Sequence, residues 1–322
     1  MQVSSAQSST VGISEMSDVD RPKPQPMAMS RYLRLHSGGG RWLVDSAGRA
    51  QLLLGAGIDR GAFGCVMEAW DCDTRKKVAV KEIARRSTST DPSALREYRL
   101  GSSLNHPGIV HFLYCCTTNR SVLLVMELLE GHSLCEILQV CGGLAVRDSL
   151  DITQQLIAAI SYLHERHLVH RDVKTRNVMV GTNLNFVKLI DFGMAERVVD
   201  GRIETVPGTG IINMCHAPEI ILASRHSYSV DVFGLGTVFY SCLTGYSPFA
   251  MGCTTYAQAR TAYAAGPDET HQQWKSLTQS MQHLLRSCLH SRPEFRPSLE
   301  TLKQSISRLP ASSSDDVGTT KR

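Results

Sequence analysis

Residues 169–180 read VHRDVKTRNVMV and place a cluster of polar side chains between two apolar patterns. An apolar repeat with helical spacing over 147–165 precedes this stretch, and the apolar run 178–180 ends it. An ordinary charged surface loop has the same composition. The alternative is a reaction centre that two rigid elements hold in place, and other stretches of the chain must distinguish the two interpretations.

Composition and charge exclude several classes of protein. The chain has 322 residues, enough for one large domain or two modest ones. Its net charge of +4 is too small to indicate a nucleic-acid partner. No apolar run reaches the roughly 18 residues of a membrane span, and the first residues lack the pattern of a signal peptide. The 10 cysteines show no C-x-x-C spacing, which favours reduced thiols in the cytoplasm and/or nucleus.

The pattern of apolar residues predicts an α+β protein with two parts. Short branched apolar runs bounded by turns predict strands at 64–71, 76–83 and 121–129. A segment with helical spacing interrupts them at 92–104. The pattern is then mainly helical, and the stretch 230–245 is apolar all round, as in a helix buried within a core.

Low-complexity segments flank this pattern. The N-terminal segment is rich in serine and then in proline, and the C-terminal segment has a similar polar composition, so we expect disorder at both ends. Whether the stretch just before the folded domain adds a strand or a loop stays open. The predicted divisions are a disordered tail (1–30), an uncertain extension (31–49), a folded domain (50–308) with a strand-rich part (about 50–130) and a helical part (about 131–308), and a second disordered tail (309–322).

The stretch IDRGAFGCV, residues 58–66, predicts a turn between two strands. Gly61 and Gly64 flank this turn, and glycines let backbone amides approach a phosphate closely. An ordinary hairpin turn uses glycines equally well, so the pattern alone does not distinguish the two interpretations. A Walker A loop is excluded because no Gly-Lys-Ser/Thr sequence follows.

Two charged residues lie in or next to predicted strands. Lys81, in VAVKEI (78–83), is either an edge-strand lysine that points to water or a buried lysine. The buried interpretation requires a carboxylate partner, which Glu97 in the following helical segment could supply. Asp191, in IDFGMAE (190–196), precedes a glycine by two residues. That position suits either a metal-binding carboxylate on a hinge or a plain Asx turn.

The order of these motifs is more specific than any one of them. A glycine turn, a strand lysine and a helix glutamate are followed by His-Arg-Asp with an asparagine five residues after the aspartate, by Asp-Phe-Gly, and by Ala-Pro-Glu at 217–219. Over about 50–308 the chain resembles the eukaryotic protein kinase family. The resemblance implies a bilobal fold, with a small lobe of antiparallel sheet and one main helix before a larger helical lobe.

The resemblance also implies roles for individual charged residues. Asp172 would accept the proton of a substrate hydroxyl, and Lys174 would stabilise the charge of the transferred phosphoryl group. Lys81, paired with Glu97, would contact the α- and β-phosphates of ATP. The protein would therefore contribute positioning and charge neutralisation rather than covalent chemistry.

ATP and Mg²⁺ are the cofactors that the resemblance implies. Apolar side chains would form a roof and a floor for the adenine, and a gatekeeper residue would precede the hinge segment whose backbone pairs with the adenine edge. The residues assigned to ATP are Ile58, Gly61, Gly64, Val66, Ala79, Lys81, Met126, Glu127, Leu129 and Met179. Asp191 would hold the principal Mg²⁺ across the β- and γ-phosphates and Asn177 would hold a second one, and their oxygen atoms suit this cation.

The resemblance extends to structural residues and to the phosphoryl acceptor. Glu219 and Arg296 would form a buried ion pair, and Asp231 would brace the catalytic loop. A lysine lies two residues after the base in DVKTRN (172–177), whereas tyrosine kinases usually carry an Ala-Ala-Arg or Arg-Ala-Ala variant. The chain is therefore similar to serine/threonine kinases, with protein substrates as partners. Its short tails and divergent activation segment are also similar to compact kinases of large DNA viruses, which would place it in a host cell.

Asp59 departs from the family's glycine-rich loop, because it takes the place of the first glycine. The upstream LGAG, residues 54–57, does not restore the register, since the third glycine would then fall at Arg60. A carboxylate near phosphates is electrostatically unfavourable unless Arg60 or Lys81 offsets it. This departure affects the expected ATP affinity more than the chemistry.

Gly101 is a second departure. It lies one turn after Glu97, where the family usually packs a large apolar side chain towards the phenylalanine of Asp-Phe-Gly, here Phe192. Glycine would leave a gap and lower the helix propensity. We expect either a mobile helix or a rotation of Leu100 into the gap.

The activation segment is a third departure. Ile212 occupies the position of the family's substrate-pocket threonine, which suggests an insertion of about three residues. Thr205 and Thr209 are the expected phosphate acceptors, and Arg171 would dock that phosphate. The three departures together motivate a second hypothesis, a catalytically weak or inactive pseudokinase that acts as a scaffold.

Overall fold

The structure, a computed structural model, has a strand-rich small lobe followed by a larger helical lobe, which confirms the predicted α+β bilobal fold. The predicted N-terminal tail and nearly all of the predicted C-terminal tail lie outside the residues that it describes. The described residues are 31–35, 41–61, 64–85, 92–199, 201, 203, 213–222, 226–249 and 252–310.

Eight strands form one sheet in the described part of the small lobe. They are β1 (Arg31–Tyr32), β2 (Arg34–Leu35), β3 (Trp42–Val44), β4 (Ala50–Gly61), β5 (Gly64–Asp71), β6 (Lys76–Ala84), β7 (Phe112–Thr117) and β8 (Ser121–Glu127). Their order along the sheet is β1-β7-β8-β6-β5-β4-β3-β2, and all neighbours pair antiparallel except β1 and β7. The extension before residue 50, which the sequence left open, thus adds strands at both edges.

Leu33 lies between β1 and β2 and connects the two edges of this sheet. Its N–H donates to the carbonyl of Thr117 at 2.8 Å, and only 1% of the residue is exposed. It packs in a cluster with Val78 and Val80 of β6, whereas Ala79 belongs to the cluster that continues into the helical lobe. β6 therefore has one face towards Leu33 and the other towards the second lobe, as the alternation of a strand requires.

Helices and short strands form the larger lobe. The helices are α1 (Pro92–Gly101) in the small lobe, and then α2 (Leu134–Cys141), α3 (Val146–His164), α4 (Pro218–Ile221), α5 (Ser229–Thr244), α6 (Tyr256–Ala265), α7 (Gln272–Ser276), α8 (Gln279–Cys288) and α9 (Leu299–Arg308). The short strands are β9 (Gly131–Ser133), β10 (Leu168–Val169), β11 (Val178–Gly181), β12 (Val187–Leu189) and β13 (Glu196–Arg197). Helix α5 is buried along almost its whole length and packs against α3 and α8, as its apolar sequence predicts. Among the residues described, the structure has no helix with the length and apolar character of a membrane span.

A buried ion pair fixes the segment around α4. The Nη1 and Nη2 atoms of Arg296 donate to the two carboxylate oxygens of Glu219 at 2.6 and 2.8 Å. Nη1 also donates to the carbonyl of Ser229 at 3.0 Å. A two-pronged contact of this kind is both strong and directional. It is the pair that the family resemblance implied, and it ties α4 to the first residue of α5.

Gly101 ends α1, and the ring of Phe112 occupies the space that a side chain there would need. A Cβ atom at Gly101 would lie 2.4 Å from Cε2 of Phe112. The Phe112 ring is buried and packs edge-on against Phe192, with 6.2 Å between the ring centroids. The gap expected from the sequence is therefore filled by Phe112 from β7.

We expect Gly101→Ala to lower the free energy of unfolding by about 1–2 kcal/mol, because the added methyl group overlaps a buried ring. The gain in helix propensity is small at the last residue of α1. Phe112→Leu removes part of the ring, so the double variant should be more stable than the sum of the two single changes predicts. Denaturant unfolding of the four proteins measures this coupling, and strictly additive effects would contradict the packing described for Gly101.

Candidate active site

Asp231, on α5, accepts hydrogen bonds from the backbone of the catalytic loop. Its Oδ2 accepts the backbone N–H of His170 at 2.9 Å and its Oδ1 accepts that of Arg171 at 2.8 Å. The Nε2 atom of His164 lies 2.9 Å from Oδ2. Burial opposes the charged form, but the hydrogen bonds from His164 and His170 outweigh it and lower the pKa of Asp231. Arg171 adopts a positive φ of 69°, a backbone conformation that these bonds help to maintain.

Asp172 is a buried carboxylate that three side chains surround. Lys174 Nζ lies 2.8 Å from Oδ1 and 2.7 Å from Oδ2, and Asn177 Nδ2 donates to Oδ2 at 2.8 Å. His216 Nε2 lies 2.8 Å from Oδ1. Burial would raise the pKa of Asp172, yet the hydrogen bonds and charges of His216 and Lys174 lower it to about 2. The carboxylate is therefore ionised at neutral pH and can accept a proton.

Lys81 bridges two carboxylates from different elements. Its Nζ atom donates to Glu97 on α1 at 2.7 Å and to Oδ1 of Asp191 at 2.8 Å. The Lys81 side chain is only 8% exposed. Burial disfavours its charge, but Glu97 and Asp191 outweigh burial and raise its pKa. The interpretation as an edge-strand lysine that faces water is therefore wrong, and Lys81 is a buried cation.

Asp191 forms the Asx turn that its sequence position suggested, and its metal-binding role remains a prediction. The backbone N–H of Gly193 donates to its Oδ1 at 3.1 Å, which is the Asx-turn contact. The same oxygen accepts from Lys81, and the residue has a positive φ of 65°. Burial raises its pKa, but the charge of Lys81 and the Gly193 bond lower it below the ordinary value. Asp191 is thus a charged carboxylate held in a constrained turn.

The residues assigned to the adenine roof and to the gatekeeper lie on adjoining strands. Ala79 on β6 is opposite Met126 on β8, and both are buried. Val66 on β5 is opposite Lys81 and packs partly buried against the same cluster. These placements agree with the sequence assignment, and the binding role of each residue remains a prediction.

Four other residues assigned to ATP lie on β4, on β11 and at the hinge segment. Met179 on β11 is opposite Ser133, which follows the hinge segment. Leu129 is partly buried against the core, and Ile58 is exposed. The carboxylate of Glu127 accepts from Lys188 Nζ at 2.5 Å, so its side chain is held by the large lobe.

The position of Gly64 requires a glycine because of the backbone that lies next to it. A Cβ atom there would lie 2.3 Å from the carbonyl oxygen of Glu82, and φ is +148°. The close approach of β5 to β6 therefore excludes any side chain. Gly61 ends β4 opposite Gly64, while the two residues of the turn between them lie outside the described residues.

Asp59 faces a cation that the sequence did not suggest. Arg176 Nη1, in the catalytic loop, lies 3.8 Å from Asp59 Oδ1. Both side chains are more than half exposed, so the pair is weak and screened by salt. Lys81 is engaged by its two carboxylates instead, and the side chain of Arg60 lies outside the described residues.

His216 contacts Asp172 and Arg176 faces Asp59, and no motif in the sequence singled out either His216 or Arg176. His216 directly precedes Ala-Pro-Glu, but nothing in that motif states that the preceding side chain reaches the catalytic loop. The expected phosphate acceptors Thr205 and Thr209, and the departure at Ile212, lie outside the described residues.

Comparison with known proteins gives the same family throughout. The Protein kinase domain family matches residues 54–306. Serine/threonine-protein kinase 33 of Bos taurus is 33% identical over 233 residues, which cover 68% of this chain and 46% of that protein. Calcium/calmodulin-dependent protein kinase cmkA of Emericella nidulans is 31% identical over 250 residues, 76% of this chain and 59% of that protein.

A plant protein extends the comparison. Mitogen-activated protein kinase kinase kinase 2 of Arabidopsis thaliana is 27% identical over 257 residues, which cover 76% of this chain and 39% of that protein. The matched region spans 39% to 59% of the length of these three relatives. By its matched region and by the arrangement of Lys81, Glu97, Asp172 and Asp191, the chain belongs to the protein kinase domain family.

Proposed function

We propose that the chain is a serine/threonine protein kinase that transfers the γ-phosphoryl group of ATP to a serine or threonine hydroxyl of protein substrates. The observation that carries the proposal is the contact of Lys81 with both Glu97 and Asp191, which joins the small lobe to the Asp-Phe-Gly segment. The ionised Asp172 completes the set. Protein substrates and a location in the cytoplasm and/or nucleus are part of the proposal.

The residues assigned to Mg²⁺ fit such a cation. Asn177 uses its Nδ2 to donate to Asp172, so its amide oxygen can face a metal ion. The contacts that Asp191 makes with Lys81 and Gly193 both use Oδ1, which leaves Oδ2 as a ligand. One amide and one carboxylate oxygen, completed by phosphate and water, suit the hard octahedral ion. When bound, Mg²⁺ would neutralise charge on the phosphates.

In the proposed reaction, the substrate oxygen forms a bond to the γ-phosphorus while the bond from that phosphorus to the β,γ-bridging oxygen breaks. The hydroxyl proton moves to the carboxylate of Asp172, and ADP leaves with the bridging oxygen. Lys174, within hydrogen-bond distance of Asp172, would turn to the transferred group and stabilise its charge. Lys81 would orient the α- and β-phosphates.

The pseudokinase alternative loses two of its three motivations. The ring of Phe112 fills the space beside Gly101, and Arg176 faces the charge of Asp59. The third motivation, the activation segment, falls largely outside the described residues. The proposal is tested directly by incubating the protein with γ-labelled ATP, Mg²⁺ and a general acceptor protein. Nucleotide binding without any transfer would favour the scaffold.

We expect Asp191→Asn and Lys81→Met each to reduce phosphoryl transfer by at least about a hundredfold, because each removes a charge that faces the nucleotide. Asp191→Asn should melt close to wild type, since the two side chains have nearly the same shape. Lys81→Met should melt lower, because it removes the cation between the buried Glu97 and the partly buried Asp191. Labelled-phosphate incorporation and thermal melting measure the two effects. Asp151→Asn, at an exposed site on α3, is the matched control, and full activity of either active-site variant would contradict the assignment.

Asp59 and Arg176 give a second prediction, because each should offset the effect of the other on ATP binding. We expect Arg176→Ala to raise the KM for ATP by up to about fivefold, since it removes a cation that faces the carboxylate of Asp59. Asp59→Gly should change KM less, and the double variant should match Asp59→Gly. Steady-state kinetics at low salt measure all four proteins. An equal rise of KM for Arg176→Ala in both backgrounds would show that Arg176 does not act through Asp59.

A further inference from the structure

His216 contacts the side chain of Asp172, and the family resemblance gave it no role. Its Nε2 atom lies 2.8 Å from Oδ1 of Asp172, and its side chain is 13% exposed. At this distance a carboxylate oxygen accepts, so Nε2 carries the hydrogen and donates it. The contact joins residues that are 44 positions apart in the chain.

The backbone of His216 is held on both sides. The hydroxyl of Tyr263, on α6, donates to the carbonyl oxygen of His216 at 2.8 Å, and Tyr263 is itself buried. On the N-terminal side, the N–H of Cys215 donates to Oδ1 of Asn213 at 3.0 Å. On the C-terminal side, α4 begins two residues later and is anchored by Glu219. The imidazole therefore reaches Asp172 from a fixed support.

The three side chains that donate to Asp172 have different roles in the proposed reaction. In the proposed reaction, Lys174 turns to the transferred phosphoryl group, while Asn177 keeps its Nδ2 on Oδ2 of Asp172 and turns its amide oxygen to the metal ion. His216 has neither of these roles, and its contact is with the other oxygen, Oδ1. Once the nucleotide is bound, His216 is thus the side-chain donor that stays on Oδ1 of Asp172.

We infer that His216 is a positioning residue for the catalytic base. It fixes Oδ1 of Asp172, so that Oδ2 faces the substrate hydroxyl. The inference rests on the proposed kinase activity. It requires a donor at the position of Nε2 and does not require an imidazole ring, so a glutamine amide should replace it and a shorter asparagine amide should not.

The test compares three substitutions at one site. We expect His216→Leu to lower kcat by roughly tenfold, the effect of losing one charge-assisted contact that orients a reacting group, with the KM for ATP unchanged within about twofold. His216→Gln should stay within about threefold of wild-type kcat, and His216→Asn should resemble His216→Leu. His283→Leu, at an exposed site on α8, is the matched control. Wild-type kcat in His216→Leu, or a glutamine variant as slow as the leucine variant, would overturn the inference.

A measurement without turnover separates this inference from the proposed activity. If wild type transfers no phosphate, the proposed activity fails, and the contact is then tested by thermal melting of His216→Leu, Asp172→Asn and the double variant. A direct contact predicts melting shifts that are not additive. Additive shifts would overturn the inference whether or not the protein is active.

Discussion

The carboxylate of Asp231 is the point on which the geometry of the catalytic loop depends. It is fully buried, and such a charge is unfavourable unless donors surround it. Two of its donors are consecutive backbone amides, those of His170 and Arg171, so satisfying the carboxylate also fixes the path of the loop. Arg171 takes a left-handed backbone conformation there. Because Asp172 follows directly, its place in the site is a consequence of a charge buried on α5.

The same principle accounts for the rest of the site. Lys81, Glu97 and Asp191 come from a strand, a helix and the Asp-Phe-Gly segment, and none of these charges is favourable alone in a buried setting. Lys81 and Glu97 pair within the small lobe, whereas the contact between Lys81 and Asp191 requires the two lobes to be brought together in one arrangement. A change that separates the lobes would therefore also separate Lys81 from Asp191.

Two departures from the family pattern are each matched by a residue elsewhere in the fold. The missing side chain at Gly101 is replaced by the ring of Phe112, which lies on a neighbouring strand and contacts Phe192. The negative charge of Asp59 is faced by Arg176 from the catalytic loop. The first compensation is a matter of shape in a close-packed core. The second is an exposed ion pair and is correspondingly weaker.

Short-range patterns in the sequence were sufficient for the two lobes and for the buried helix α5, because strand alternation and helical spacing are local properties. The charged residues of the site and the Glu219–Arg296 pair followed from the family resemblance, which rests on the order of motifs along the chain. The remaining features depend on contacts that no local pattern encodes. Leu33 lies in the short stretch RYLRL, residues 31–35, and the pairing of β1 with β7 and of β2 with β3 places it between both edges of the sheet.

His216 illustrates the limit most clearly. A histidine before Ala-Pro-Glu carries no signal of its own, and its function depends on two distant supports. Tyr263 holds its carbonyl, and the anchored α4 fixes the chain that follows it. With both in place, the ring lies within hydrogen-bond distance of Asp172. A residue's part in a reaction can therefore be set by what holds its backbone, which is a property of the fold and not of the motif in which the residue occurs.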